Sequence, residues 1–147
     1  MKIAVAGKGG VGKTLIERDA VVMDMEAGLE HLGRATAKGF DVLLCVVEPG
    51  GQSIETASRI KRLADDIEIR NVVAVANKVR TKEEEFIREA LEKRSLEIIC
   101  SIPYDKNIIL ADMSRTAPID YSPKSPAITA IKRLEAVSYT HLTLPTN

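Results

Sequence analysis

The sequence GKGGVGKT occupies residues 7–14 and directly follows the apolar run Ile3–Ala6. It fits the pattern G-x-x-x-x-G-K-[ST], and a buried strand is the element expected before such a phosphate-binding loop. Its glycines let successive backbone amides turn inward and form a concave nest for an anion. A glycine-rich turn without a ligand is the alternative, but such a turn does not require the Lys-Thr pair at the end. The stretch therefore predicts a nucleotide phosphate loop.

The motif assigns roles to individual residues of this loop. Lys13 would reach the β- and γ-phosphates, and the hydroxyl of Thr14 would hold Mg²⁺. The predicted nucleotide-binding residues of the loop are Gly9, Gly10, Val11, Gly12, Lys13 and Thr14.

Length and composition are those of one ordinary globular domain. The chain has 147 residues, with 45% apolar and 29% charged side chains. Lys plus Arg and Asp plus Glu both number 21, so nucleic acid and anionic membranes are not expected partners. The sequence has no apolar run near 18 residues and no signal peptide, which predicts a cytoplasmic location.

Five short apolar runs predict strands that are buried on both faces, because their apolar residues are continuous rather than alternating. These runs are Ile3–Ala6, Ala20–Met23, Val42–Val47, Val72–Ala76 and Ile98–Ile102. Three helical patterns are predicted: one at residues 54–67 after the N-cap candidate Ser53, one at 81–94 and one at Ser125–Ala136. The fold class is therefore α/β, a mostly parallel sheet of about five strands flanked by helices, with ligands at the carboxyl ends of the strands.

Polar residues stand at two of these strand ends. Asp24 ends AVVMD and could hold Mg²⁺ through water, or could instead cap a helix. Asn77 and Lys78 end VVAVANK, where many phosphate-loop proteins place a base-reading Asn-Lys pair. Guanine readers have an Asp three residues after the Asn, whereas Arg80 here has no acceptor. ATP or ADP is therefore the predicted ligand.

These residues carry a specific resemblance. KGGVGKT with Lys8 resembles the deviant phosphate loop of the septum-site-determining and chromosome-partitioning ATPases and the nitrogenase iron protein. Within that class the chain is most similar to the nickel-insertion ATPases that mature carbon monoxide dehydrogenase. The stretches that carry this similarity are DMEAGLEHLGR (24–34), VVEPGGQSIETASRIKRLA (46–64), NKVR (77–80), IPYDKNIILAD (102–112) and DYSPKSPAI (120–128).

The resemblance implies roles, a metal and partners. Lys8 would reach the phosphates of a partner subunit in a homodimer, Asp24 would belong to the metal-linked switch, and Asn77 would contact adenine. The loop at Pro103–Asp105 would border the base, although it could equally be a strand-terminating turn. Carbon monoxide dehydrogenase or another nickel enzyme would be the client, with nickel or zinc at a Cys-x-Cys site in the intact family.

The chain departs from this family after Thr14. The family has a long helix there, then a strand that ends in an acidic switch, then the Cys-x-Cys pair, whereas here Thr14 runs into LIERD. A parallel crossover usually needs about 10–12 residues including its helix. The chain thus resembles a member with an internal deletion between about residues 14 and 17, so that hydrolysis is expected to be impaired and the Cys-x-Cys site is not expected.

The remaining cysteines, histidines and tail are not expected to carry chemistry. Cys45 and Cys100 lie in strand-like runs and are predicted to be buried thiols. His31 is expected to be structural, and His141 is not a ligand candidate. Residues 1–136 would form one nucleotide-binding domain, and residues 137–147, VSYTHLTLPTN, would be an artefactual or disordered tail.

Three functions are compatible with the sequence. The first is an ATP-dependent metallochaperone of the nickel-insertion type. The second is a membrane-associated positioning ATPase of the septum-site type, which would want a basic amphipathic C-terminal helix, and Ala127–Ala136 offers only Lys132 and Arg133. The third is a nucleotide-binding remnant without turnover.

Overall fold

The fold is built on a five-stranded sheet, seen in a computed structural model that describes residues 2–7, 21–25 and 40–142. Within the first two ranges, side chains are described only at Ile3, Val5 and Ala6; from residue 40 they are described as far as 137. The strands are β1 (Lys2–Gly7), β2 (Val21–Met25), β3 (Val42–Val47), β4 (Val72–Val79) and β5 (Glu97–Pro103).

All pairings in this sheet are parallel, and the strand order is β2-β1-β3-β4-β5. Ile3 pairs with Val22 on one side and with Val42 on the other. The predicted α/β class with a parallel sheet of about five strands is therefore confirmed. The strand after the phosphate motif lies in the sheet beside β1, so the parallel core includes it.

Helices connect and flank the strands from β3 onward. They are α1 (Gly51–Asp66), α2 (Glu84–Glu92), α3 (Lys106–Met113), α4 (Pro118–Tyr121) and α5 (Pro126–Leu142), with a 3₁₀ turn at Thr81–Glu83 before α2. The helices α3 and α4 were not predicted, because the apolar residues of 106–121 do not follow a helical period. The predicted i,i+4 pairs of α2 are present, at 3.8 Å for Glu84–Arg88 and 3.6 Å for Glu89–Lys93.

The sheet is covered on both faces, as continuous apolar strands require. Alternate residues of β3 enter two separate clusters: Leu43 packs with α1 and α2, and Leu44 packs on the side that includes α5. All six residues of β3 are buried. The central strand therefore supplies the core of both layers.

Two details of the predicted elements were wrong. Ser53 is not the N-cap of α1, since the helix begins one turn earlier with Gly50 as its cap; the Ser53 hydroxyl instead accepts the backbone N–H of Glu48 at 2.9 Å. The last helix does not end at Ala136 but continues to Leu142.

The prediction of full burial also fails for β5. This strand lies at the edge of the sheet and most of its residues are only partly buried, so Cys100 is half-buried whereas Cys45 in β3 is fully buried.

Among the residues that the structure describes, no helix is long and apolar enough to cross a membrane.

Candidate functional site

The carboxyl ends of the parallel strands meet along one edge of the sheet, where α/β proteins bind their ligands. β1 ends at Gly7, the first residue of the phosphate motif, and the Cα partner of Gly7 is Val46 in β3. The remaining predicted loop residues, Lys8, Gly9, Gly10, Val11, Gly12, Lys13 and Thr14, lie outside the described part of the chain. The motif thus begins at this edge of the sheet.

Asp24 belongs to β2, the strand on the other side of β1. Its Cα is the register partner of Val5, two residues before Gly7. It is the penultimate residue of β2, which ends at Met25 rather than at the predicted Met23. The backbone register therefore brings Asp24 to the same edge as the start of the motif, while its side chain is outside the described part.

Asn77 and Lys78 form an irregular end of β4. The register to β5 shifts between Ala76 and Val79, and Lys78 has a left-handed backbone with φ of 56°. The Asn77 side chain is buried, and its Oδ1 accepts the Lys78 N–H at 3.0 Å. Such strained bulges concentrate at functional sites. The sequence predicted the polar pair but ended the strand at Ala76, before this bulge.

Lys78 reaches back across the strand ends to β3. Its Nζ lies 2.6 Å from Oε1 of Glu48, the residue that follows β3. The ion pair therefore links the ends of two neighbouring strands beside the irregular turn. Sequence reasoning missed Glu48; the signal was a carboxylate directly after a continuous apolar strand in VVEPGG.

A cavity of about 270 Å³ opens at the ends of β4 and β5. Its walls are mostly apolar, with Val46, Ile102, Ile108 and Ile131 among them, and Asn77 and Lys78 supply polar groups. Pockets for whole small molecules measure roughly 300–1,000 Å³, so this cavity has room for one part of a nucleotide rather than all of it. An apolar slot with a buried amide suits a flat heterocycle.

The loop after β5 forms one wall of this cavity. Pro103, Tyr104 and Asp105 all line it. The Arg80 guanidinium lies 4.4 Å from the centroid of the Tyr104 ring, and the Tyr104 N–H donates to the carbonyl of Val79 at 2.9 Å. The Pro103–Asp105 loop and Asn77, predicted to border one ligand, are thus brought together at one cavity.

Asp105 is the best-connected polar side chain of this wall. It is the N-cap of α3, and its Oδ1 accepts the Asn107 N–H at 2.9 Å. Partial burial would raise the pKa of the Asp105 carboxyl, but hydrogen bonds from the Asn107 and Ala127 amides outweigh that effect and lower its pKa. The carboxyl is therefore ionised at neutral pH.

The two cysteines lie on opposite sides of the sheet. Cys45 belongs to the cluster under α1 and α2, and Cys100 to the cluster under α5, where its Sγ contacts the Ala130 carbonyl at 3.6 Å. Burial raises the pKa of the Cys45 thiol to about 12. Burial also raises the pKa of Cys100, and the positive charge of Arg133 partly opposes it.

A metal site would be indicated by a group of three or more His, Cys, Asp or Glu side chains. None occurs among the side chains that the structure describes. His31, Glu26 and Glu30 lie outside the described ranges, as does the side chain of His141.

Several curated proteins are similar to this chain in sequence. The chain is 37% identical over 107 residues to the carbon monoxide dehydrogenase accessory protein CooC of Rhodospirillum rubrum, covering 72% of this chain and 40% of that protein. It is 41% identical over 100 residues to an uncharacterized ATP-binding protein of Methanocaldococcus jannaschii, covering 67% of this chain and 39% of that protein. The chain therefore spans about two fifths of the length of the curated relatives it matches. No family model matches the sequence.

Solved structures share the fold. The MinD cell division protein of Aquifex aeolicus aligns with a TM-score of 0.65 and 25% identity, over 85% of this chain and 55% of that one. A ParA family ATPase from Chlorobium tepidum aligns with a TM-score of 0.69 and 22% identity, over 80% of this chain and 50% of that one.

Proposed function

Because this chain is a deviant phosphate-loop protein related to CooC, with the fold of the MinD and ParA ATPases, we propose that it binds ATP or ADP with Mg²⁺. The base would enter the cavity beside Asn77, and the phosphates would be held at residues 9–14. The bound Mg²⁺ would neutralise phosphate charge. Thr14 is the proposed residue to hold it, with Asp24 acting through water.

The observation that carries this proposal is the order of features along the edge of the sheet. The phosphate motif begins at the end of β1, and the cavity lies at the ends of β4 and β5, with β3 between them. Val46 of β3 both pairs with Gly7 and lines the cavity. Two strand spacings, about 10 Å in all, separate β1 from β4, and a nucleotide has its base and its phosphates at opposite ends.

Adenine is the proposed base because of the hydrogen-bonding groups of Arg80 and Asn77 near the cavity. A guanine site needs an acceptor for the ring N–H and the amino group, and Arg80 offers donors only. The Arg80 guanidinium is instead engaged with the Tyr104 ring and lies 3.5 Å from Glu83 Oε1. The Asn77 amide offers both a donor and an acceptor, as the edge of adenine requires.

We further propose the role of a nickel-insertion metallochaperone that serves carbon monoxide dehydrogenase or another nickel enzyme. Its support is the 37% identity to the accessory protein CooC. Lys8 would act on the phosphates of a partner subunit in a homodimer, and Lys13 would act on its own. A cytoplasmic location stays a prediction from the sequence.

A second candidate is favoured by the fold alone, since MinD aligns over 85% of this chain. A positioning ATPase would bind anionic vesicles in the presence of ATP, whereas a metallochaperone would not. Sedimentation with phosphatidylglycerol vesicles distinguishes the two. A nucleotide-binding remnant would bind ATP but would neither bind vesicles nor insert nickel.

Titration with fluorescent ATP, ADP and GDP tests the nucleotide assignment. The wild type should bind both adenine nucleotides in preference to GDP, and Lys13→Ala should abolish binding because it removes the cation that contacts the phosphates. Lys93→Ala is the matched control, since Lys93 is an exposed lysine paired with Glu89 on α2. Equal or tighter binding of GDP would overturn the adenine assignment.

A further inference from the structure

Asp105 joins two helices that are distant in the sequence. Its Oδ1 accepts the backbone N–H and the side-chain Nδ2 of Asn107, both at 2.9 Å. Its Oδ2 accepts the backbone N–H of Ala127 at 3.1 Å. Asn107 lies in the first turn of α3 and Ala127 in the first turn of α5. One carboxylate therefore fastens the beginnings of both helices.

Both of these helices contribute to the cavity wall. α3 contributes Ile108 and Ile109, and α5 contributes Ala127 and Ile131. Asp105 itself also lines the cavity. The relative position of α3 and α5 decides how wide the apolar slot is, and a slot for a flat base must keep a fixed width to contact both faces of the ring.

The hydrogen bonds of Asp105 are well suited to holding α3 and α5 at a fixed separation. Hydrogen bonds from backbone amides to an ionised carboxylate are roughly twice as strong as neutral ones. Each carboxylate oxygen accepts hydrogen bonds from a different helix, so a substitution that removes one acceptor tests the two attachments separately. An Asn in this place would keep one acceptor oxygen and replace the other by an amino group, which can only donate.

We propose that Asp105 is a positioning residue, which sets the affinity of the cavity for the nucleotide base by holding the first turns of α3 and α5 together. The inference rests on the proposed nucleotide function. It adds that base affinity depends on a side chain that accepts hydrogen bonds from the first turns of two of the protein's own helices.

The Asp105→Asn variant tests the hydrogen bond to Ala127 separately from the N-cap of α3. Asn is as good an N-cap as Asp, so α3 keeps its cap while the Ala127 amide loses its acceptor. Asp112→Asn is the matched control, because Asp112 is an exposed carboxylate on the same helix. Far-UV circular dichroism and the Tm establish that each variant is folded.

Two probes separate the two ends of the nucleotide. Fluorescent ATP reports on base and phosphates together, and inorganic tripolyphosphate, used as its competitor, reports on the phosphate loop alone. In Asp105→Asn the affinity for ATP should fall by about tenfold, as expected for the loss of a hydrogen bond to a charged group. The affinity for tripolyphosphate should stay within about twofold, and the preference for ATP over GTP should shrink.

The outcomes distinguish this inference from the function on which it rests. If the wild type binds neither probe, the nucleotide proposal fails and this one with it. If the wild type binds both and Asp105→Asn matches it, only the positioning role is overturned. Equal losses of affinity for ATP and for tripolyphosphate would make Asp105 a general structural residue and would also overturn the role.

Discussion

The Arg80 guanidinium lies over the Tyr104 ring, 4.4 Å from its centroid. This contact joins the residue after β4 to the loop after β5, and Tyr104 lines the cavity between them. Arg80, on which the proposed preference for adenine rests, therefore also contacts the cavity wall.

Replacing Arg80 by Ala should weaken ATP binding without unfolding the protein. An exposed cation–π contact contributes about 0.5–1 kcal/mol, so the affinity for fluorescent ATP should fall about 2- to 5-fold as Tyr104 loses its support. Arg88→Ala is the control, since Arg88 is an exposed arginine paired with Glu84 on α2. Unchanged affinity in Arg80→Ala would show that Tyr104 is held by other contacts.

Much of the fold could be predicted from the sequence because the strands are continuous apolar runs. β3 was predicted to the residue, since all six of its side chains are buried and turn residues follow it. Edge effects were not predicted: Cys100 stands in the run IICSI, which the sequence predicts to be a buried strand like VLLCVV, but in the described sheet β5 pairs with β4 at the end of the strand order. Burial there depends on tertiary position.

The sequence indicated several residues that line the cavity, but not the contacts between them. Asn77 was identified at the end of an apolar run, the Pro103–Asp105 loop was implied by the family resemblance, and both line one cavity. The bulge at Lys78 and the bridge from Asp105 to Ala127 could not be predicted, because a register shift and a hydrogen bond across 22 residues depend on where α5 packs.

Asp105 should make stability depend on pH in acid. Its pKa in the folded protein is lowered below the ordinary value of 3.8, so the folded state binds this proton less readily than the unfolded state. The stabilisation is then fully present above about pH 4 and is lost as the pH falls through the lowered pKa.

The measurement is the Tm of the wild type and of Asp105→Asn between pH 7 and 2.5. At pH 7 the variant should melt about 3–8 °C lower, and this difference should shrink below about pH 4. Asp112→Asn controls for the loss of one negative charge. A difference that persists unchanged down to pH 2.5 would mean that the charge of Asp105 does not stabilise the fold.

Residues 137–147 should be dispensable, with 1–136 as the folding unit. The last buried side chain of α5 among those described is Leu134, and the helix continues to Leu142. Truncation after Ala136 keeps Leu134 and should leave the Tm unchanged, because the removed stretch has few core-sized apolar residues. A loss of several degrees would show that the end of α5 packs against the domain.

The chain should not bind Ni²⁺ or Zn²⁺ at a thiolate site that bridges two subunits. Such a site needs thiolates that are accessible and converge, whereas Cys45 and Cys100 pack in different clusters of the core. Burial that raises the pKa of Cys45 to about 12 also keeps that thiol protonated. Equilibrium dialysis against Zn²⁺ at pH 7 should give the same result for the wild type and for Cys45→Ser/Cys100→Ser. Metal that is lost with either cysteine would contradict this prediction.

ATP hydrolysis by the 147-residue chain should be far slower than by a full-length relative. Phosphoryl transfer to water needs charge compensation and a positioned nucleophile. The sequence keeps the proposed charge-compensating groups, Lys13, Thr14 and Asp24, and Lys8 from a partner. By its resemblance to the family, it is expected to lack the acidic switch that would follow the phosphate-loop helix. An error of about 1 Å in position can lower a rate by about 100-fold, so a nucleotide-bound chain with little turnover is expected.

The competing possibility is that a glutamate of the MEAGLEH segment orients the water instead. A phosphate-release assay on Glu26→Gln, Glu30→Gln and Asp24→Asn separates the two. If hydrolysis is slow because no carboxylate positions the water, both glutamate variants should retain the low rate of the wild type, while Asp24→Asn should lower it further by weakening the proposed hold on Mg²⁺. Turnover at the rate of a full-length relative, abolished by either glutamate substitution, would overturn the prediction, because one carboxylate would then have replaced the missing switch.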